Sequence, residues 1–290
     1  MKRLLIPTDF SDISKNSIKY GFQLAAKLNL NIQLVHVLEL YKFAVGTSES
    51  ELISTILPAE NIVEMESLAM GSFKKMLEGL QGSLPSEVNY DFKVVSGHLV
   101  NEMVVESALD ETELMILAVA GNQDLITRFT HNTISAIIKD AACPVLVIPS
   151  GYSFQPVVKV ILATDFNKAD LEMFSRFIQL FTQFNPHVEV LHISPKAIDF
   201  KTELKFAGFK QLIAEKNTYP NVSFKIINHK NVVQGTIETL KADNADMLLI
   251  LKEHDNFFKS LFESNKTNKI AHFLKVPMIS YHELDPIKKK

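Results

Sequence analysis

The sequence predicts two α/β domains in tandem, each a five-stranded parallel sheet with helical crossovers. Three observations carry this: the halves repeat each other, short β-rich runs alternate with helical periodicity in each half, and 290 residues with 47% hydrophobic content suffice for two cores. KRLLIPTDF at 2–10 matches VKVILATDF at 158–166, so Asp9 and Asp165 stand 156 residues apart. QLVHV at 33–37 matches EVLHI at 189–193 in the same register, making His36 and His192 counterparts. ELMIL at 113–117 against DMLLI at 246–250, and CPVLVI at 143–148 against VPMISY at 276–281, keep a smaller offset of 133. The second copy is therefore 23 residues shorter, the loss falling between the second apolar run and the ELMIL-type run. The polar, glycine-containing stretch 149–156 joins the copies, with the boundary near Gly151 and the domains at 1–150 and 151–290.

Within the first copy the elements follow in order. Residues 3–7 form a short apolar run suited to a buried strand, and Ile18, Phe22, Ala25 and Leu28 then share one helical face. Residues 31–37 are the second strand. Ile62, Met65, Ala69, Phe73, Met76 and Leu80 recur at three- and four-residue spacing, which predicts a longer helix. Val88, Tyr90, Phe92 and Val94 alternate with polar residues, as on a half-exposed edge strand. A helix over 99–109, a buried strand over 114–119, a helix over 132–142 and a strand over 144–148 complete five strands and about four helices.

Composition excludes some functions. A net charge of −3 with interspersed signs gives no attraction for polyanions, so neither nucleic acid nor an anionic membrane is expected as partner, and the Lys288–Lys290 tail reads as a solvated end. One cysteine forms no internal disulfide, the first ten residues read directly into a strand, and no apolar run reaches membrane-spanning length. The expectation is a cytoplasmic protein. Walker, G-x-G-x-x-G, G-x-S-x-G and H-E-x-x-H motifs are absent from the sequence, which argues against an enzyme.

The opening KRLLIPTDFS with its amphipathic helix, the LVHV strand and the CPVLVIP ending, found in order and, in diverged form, twice, resemble the universal stress protein family over the whole chain. The resemblance implies two tandem doubly wound five-stranded parallel-sheet domains of the adenine nucleotide alpha hydrolase-like type, strand order 3-2-1-4-5. It also implies pairing of the copies by pseudo-twofold symmetry through the last strands, Val145–Ile148 and Met278–Tyr281. Association of two chains into a homodimer is left open. The switch point beyond strands one and four is where such sheets bind ligands.

The family's phosphate loop, G-x2-G-x9-G followed by Ser or Thr, falls here on Ala118, Gly121, His131 and Asn132, keeping one glycine of three. Glycine serves there for close backbone approach and positive φ, and a helix N-terminus completes the anion site. Ala118 adds a methyl group; His131 is expected at a positive φ and Asn132 as a phosphate donor or helix cap. By resemblance, Pro7, Thr8 and Asp9 meet the adenine and sugar, the Val37 backbone meets the base, and the stretch from Ala118 to Thr133 holds phosphates, so ATP is the implied small-molecule ligand of the first copy. The second copy has Leu251, His254, Ser264 and Asn265 at the loop positions, without glycine, and reads as degenerate. The alternative is a non-nucleotide interaction or small-ligand module in which both loops have lost ATP.

Several residues have plainer readings. Asp9 is balanced between ligand contact and helix cap, while Asp165 reads as structural. His36 and His192 read as satisfied core histidines, and Cys143 as a buried thiol. Glu253, His254 and Asp255 are adjacent and point apart, which does not make a metal site. Phe257, Phe258, Leu261 and Phe262 read as covering their own core, and Ala44–Leu57 as loop plus helix.

Overall fold

The computed structural model describes residues 2–39, 59–119, 127–216, 218–251 and 275–281, with the backbone alone for 59–61 and His131. The first copy runs β1 (Arg3–Pro7), α1 (Asp12–Leu28), β2 (Asn31–Leu38), α2 (Ala59–Leu80), β3 (Tyr90–Ser96), α3 (Leu99–Ser107), β4 (Thr112–Val119), α4 (His131–Asp140) and β5 (Val145–Pro149). The second runs β6 (Lys159–Ala163), α5 (Lys168–Phe181), β7 (His187–Ser194), α6 (Phe200–Lys216), β8 (Val222–Asn228), α7 (Val232–Ala242), β9 (Met247–Leu251) and β10 (Met278–Tyr281). Ala44–Leu57, Glu253–Asp255 and the Phe257–Phe262 stretch lie outside the described residues.

All ten strands form one sheet in the order β3-β2-β1-β4-β5-β10-β9-β6-β7-β8. Each half is therefore 3-2-1-4-5 read inward from its own outer edge, the expected doubly wound order. Pairing within each half is parallel. The halves meet where β5 and β10 run antiparallel, with Met278 opposite Val147, Ile279 opposite Leu146 and Ser280 opposite Val145. An antiparallel junction of two like strands is what a twofold relation between the copies requires. The central strands are buried on both sides, which is why their sequences read as continuous apolar runs and not as alternation.

One core lies on each sheet face. Ile18, Phe22 and Phe73 share a cluster with Phe174, Phe177 and Phe209 from the second copy, beneath α1, α2, α5 and α6. The other face gathers Met103, Ile134, Ile137 and Leu240 beneath α3, α4 and α7. The link near Gly151 (φ 73°) is pinned by aromatic contacts: Phe154 meets Tyr20 of α1 at 5.2 Å between ring centres and Phe184 of the second copy at 6.4 Å.

The difference in length between the copies is not one block. The connection before α2 spans 39–58 against 195–199 before α6, α2 has 22 residues against 17, and the connection into the third strand spans 81–89 against 217–221. Among the described residues no helix is long and apolar enough to cross a membrane.

Candidate functional site

The parallel ladder from β1 to β2 carries the chain to Pro7, and Thr8 extends it, its N–H donating to the Val35 carbonyl at 2.8 Å. Thr8 is buried; its hydroxyl donates to Ser14 at 3.0 Å and accepts from the Phe10 N–H at 3.1 Å. The chain then turns sharply, with Phe10 at φ 63° and its counterpart Phe166 at φ 71°. A bulky residue in the left-handed region is a true outlier, costing about 1–3 kcal/mol. The same device offsets it in both copies: the ring lies on a histidine, Phe10 on His36 at 4.5 Å and Phe166 on His192 at 4.2 Å between ring centres.

Those histidines are held alike. His36 Nδ1 donates to the Thr8 carbonyl at 2.7 Å, and His192 Nδ1 to the Thr164 carbonyl at 2.8 Å. A carbonyl only accepts, so the proton sits on Nδ1. Burial pushes the His36 pKa down and the Arg128 charge adds to it; the Thr8 carbonyl and Asp9 oppose, and the net shift is downward. Both are satisfied histidines, as expected.

Asp9 and its partners form the centre of the site. One carboxylate oxygen accepts from the Ser11 N–H at 3.1 Å and from the Ser11 hydroxyl; the other accepts from the Thr127 hydroxyl and the Arg128 N–H, each at 2.9 Å. Burial pushes its pKa up, but the hydrogen bonds from Ser11, Arg128 and Thr127 outweigh burial and hold it below the usual carboxylate value. Asp9 is not the helix cap. Ser11 is, accepting from the Ser14 N–H at 3.2 Å, and Asp9 instead ties the β1 turn to the segment entering α4. In the second copy Asn167 and Asp170 form a capping box for α5, and Asp165 accepts from the Asn167 N–H at 3.2 Å without being the cap.

Arg128 closes the crevice from the other side. Its Nη1 donates to the Val37 carbonyl at 2.7 Å, the backbone group assigned by resemblance to the base. Phe129 is buried behind it, and Thr130 caps α4, its hydroxyl accepting from the Thr133 N–H at 3.3 Å. Two expectations are corrected here. His131 begins α4 with helical backbone and holds no positive φ, because Thr130 already provides the extended residue before the helix; for the same reason Asn132 is an exposed helical residue and not the cap. Ala118 still belongs to β4, opposite Ile148, and its methyl group is sealed by Ile13 of α1. Gly121 lies outside the described residues, as do His254, Ser264 and Asn265; Leu251 ends β9.

Pro7, Thr8, Asp9, Val37 and the start of α4 with Thr133 thus gather at one end of β1, β2 and β4, with Ala118 just behind. Sequence reasoning missed Ser11, and it covers Thr127, Arg128 and Thr130 only as unnamed members of the stretch from Ala118 to Thr133, with no role for Asp9 or Val37 as their partners. A signal existed for Arg128: the chain has only three arginines among 30 basic residues, and a guanidinium is the group that spans two loops with several directed donors. Cys143 is buried, and burial pushes its thiol up to about 12. Among the described residues no cluster of three His, Cys, Asp or Glu side chains could hold a metal.

The model of the universal stress protein family matches residues 1–149. A universal stress protein of Methanocaldococcus jannaschii is 27% identical over 149 residues, covering 51% of this chain and 81% of that protein. A universal stress protein structure from Archaeoglobus fulgidus superposes with TM-score 0.69 at 15% identity, covering 98% of this chain and 97% of the other. The cytoplasmic domain of a prokaryotic cation chloride cotransporter superposes with TM-score 0.54 at 14% identity, over 96% and 94%. With the repeated TDF turn, the 3-2-1-4-5 order in both halves and the family model spanning the first copy, the chain belongs to the universal stress protein family.

Proposed function

We propose that the chain is a stress-response binding and regulatory protein acting without turnover, whose first copy takes an adenine nucleotide, ATP, weakly in the crevice beyond β1 and β4. The observation that carries this reading is the convergence of Thr8, Asp9, the Val37 carbonyl and the N-terminal end of α4 at the topological switch point, where doubly wound sheets bind ligands. Backbone amides at that helix end suit phosphate. Affinity is low in this reading because Arg128 must leave the Val37 carbonyl before a base can use it.

That contact also favours a second reading, a non-nucleotide interaction or small-ligand module, since Asp9 and Val37 are engaged by the protein itself. The same fold serving as the cytoplasmic domain of a cotransporter fits such a module. The test is calorimetric titration of Mg-ATP into the wild-type chain, Arg128→Ala and Asp9→Ala, with thermal unfolding of each alone. Saturable binding near one per chain, tighter in Arg128→Ala and lost in Asp9→Ala, supports the nucleotide reading. No heat in wild type and no gain in Arg128→Ala leaves the module.

A further inference from the structure

A cleft of about 570 Å³ lies far from the switch point, between α2 and the outer strand β3. Its walls are Phe22, Phe73, Leu77, Leu84, Val88 and Tyr90. Three of these are aromatic, and their rings are fixed: Phe73 stacks on Phe92 at 3.8 Å, and Tyr90 sits 5.6 Å from Phe22 and 6.5 Å from Phe73. Tyr90 lines the cleft while remaining 51% exposed, so it does not complete the core. A concave, mostly apolar cleft of this size with a few polar groups at the rim is the usual form of a small-molecule site.

The second copy provides an internal control. Its connection into the third strand is 217–221, against 81–89 in the first copy. Leu84, Pro85 and Ser86, which wall the cleft, belong to that longer connection. In the short connection Tyr219 instead turns inward: its hydroxyl donates to the Pro186 carbonyl at 2.6 Å and its ring meets Phe174 edge-on at 6.4 Å. The first copy thus spends extra chain on a wall, where the second spends its tyrosine on internal contacts.

The rim fixes the class of ligand. Lys74 and Glu78 line it one helical turn apart, so the rim carries one charge of each sign and favours neither an anion nor a cation. The geometry points to a binding site for a neutral, predominantly apolar, ring-containing small molecule, separate from the crevice at the switch point and independent of whether nucleotide binds there.

The probe is Nile red, a neutral aromatic dye, titrated into the full chain and followed by fluorescence. Saturable binding at one per chain is expected, unaffected by Mg-ATP. Leu77→Trp fills the cleft from its floor and Ser86→Trp from its exposed wall; each is expected to weaken binding by about tenfold or more, a loss readily resolved in a titration. Thermal unfolding verifies that both fold, and Ser86, being exposed, keeps the test valid if Leu77→Trp does not. Dye binding that survives both tryptophan variants, or no saturable binding in the wild type, overturns the proposal. So does binding of only the anionic dye anilinonaphthalene sulfonate, lost in Lys74→Gln.

Discussion

The Arg128 guanidinium and the Val37 carbonyl oxygen meet at 2.7 Å across 91 residues of sequence, joining the end of β2 to the segment that enters α4. The bond is part-buried and charge-assisted, so removing it loosens this junction. Arg128→Ala is expected to lower stability by about 1 kcal/mol, read from denaturant midpoints at unchanged slope.

Asp9→Ala is expected to cost more. It removes the acceptor for Ser11, Thr127 and the Arg128 N–H together, and hydrogen bonds to a charged group are the strong class. A loss of about 2–3 kcal/mol in chemical unfolding is expected.

The His36 pKa is depressed in the folded chain below its ordinary value of 6.5. The unfolded chain therefore binds the proton first. His36 contributes stability above pH 6.5, and that contribution falls away as the pH drops below this value towards the folded pKa. Asp9, depressed from 3.8, acts in the same direction further into acid. His36→Asn is expected to flatten the stability profile just below pH 6.5, measured by urea unfolding at a series of pH values.

Tyr281 is a buried residue of the strand that joins the halves, and its hydroxyl has no hydrogen-bond partner among the described residues. Burial pushes its pKa up. Removing an unmatched buried hydroxyl while keeping the ring relieves a desolvation cost, so Tyr281→Phe is expected to raise stability by about 1 kcal/mol.

Cys143 is buried, with its thiol held protonated. Native protein is expected to be inert to Ellman's reagent and to release one equivalent of thionitrobenzoate per chain in guanidinium. Rapid native reaction would mean that the start of β5 opens.

Elements governed by local pattern were legible in the sequence. Arg3–Pro7 was predicted with its final bounds, the alternation through Tyr90 and Phe92 identified an outer strand, and the paired TDF segments located equivalent turns. What escaped prediction depends on distant contacts. Nothing local to 127–130 says that Thr127 and Arg128 close on Asp9, or that Arg128 reaches Val37, because those partners are set by the order of strands. Thr130 and Asn132 are both good capping residues, so the sequence leaves the α4 cap open between them; which one is extended depends on where the preceding segment is anchored. The left-handed backbone of Phe10 has no local signal either, since the contacts that accompany it, the ring on His36 and the Phe10 N–H donating to the Thr8 hydroxyl, belong to the folded turn.

The antiparallel β5–β10 contact lies within a single chain. Two free subunits joined along such a seam could part, and each could take a different mate. Here the mate is covalently supplied, so its local concentration never falls with dilution. Mixing with other members of the family cannot exchange one half for another. Freed from having to match an identical copy, each half can change alone, as the unequal connections into the third strands already show.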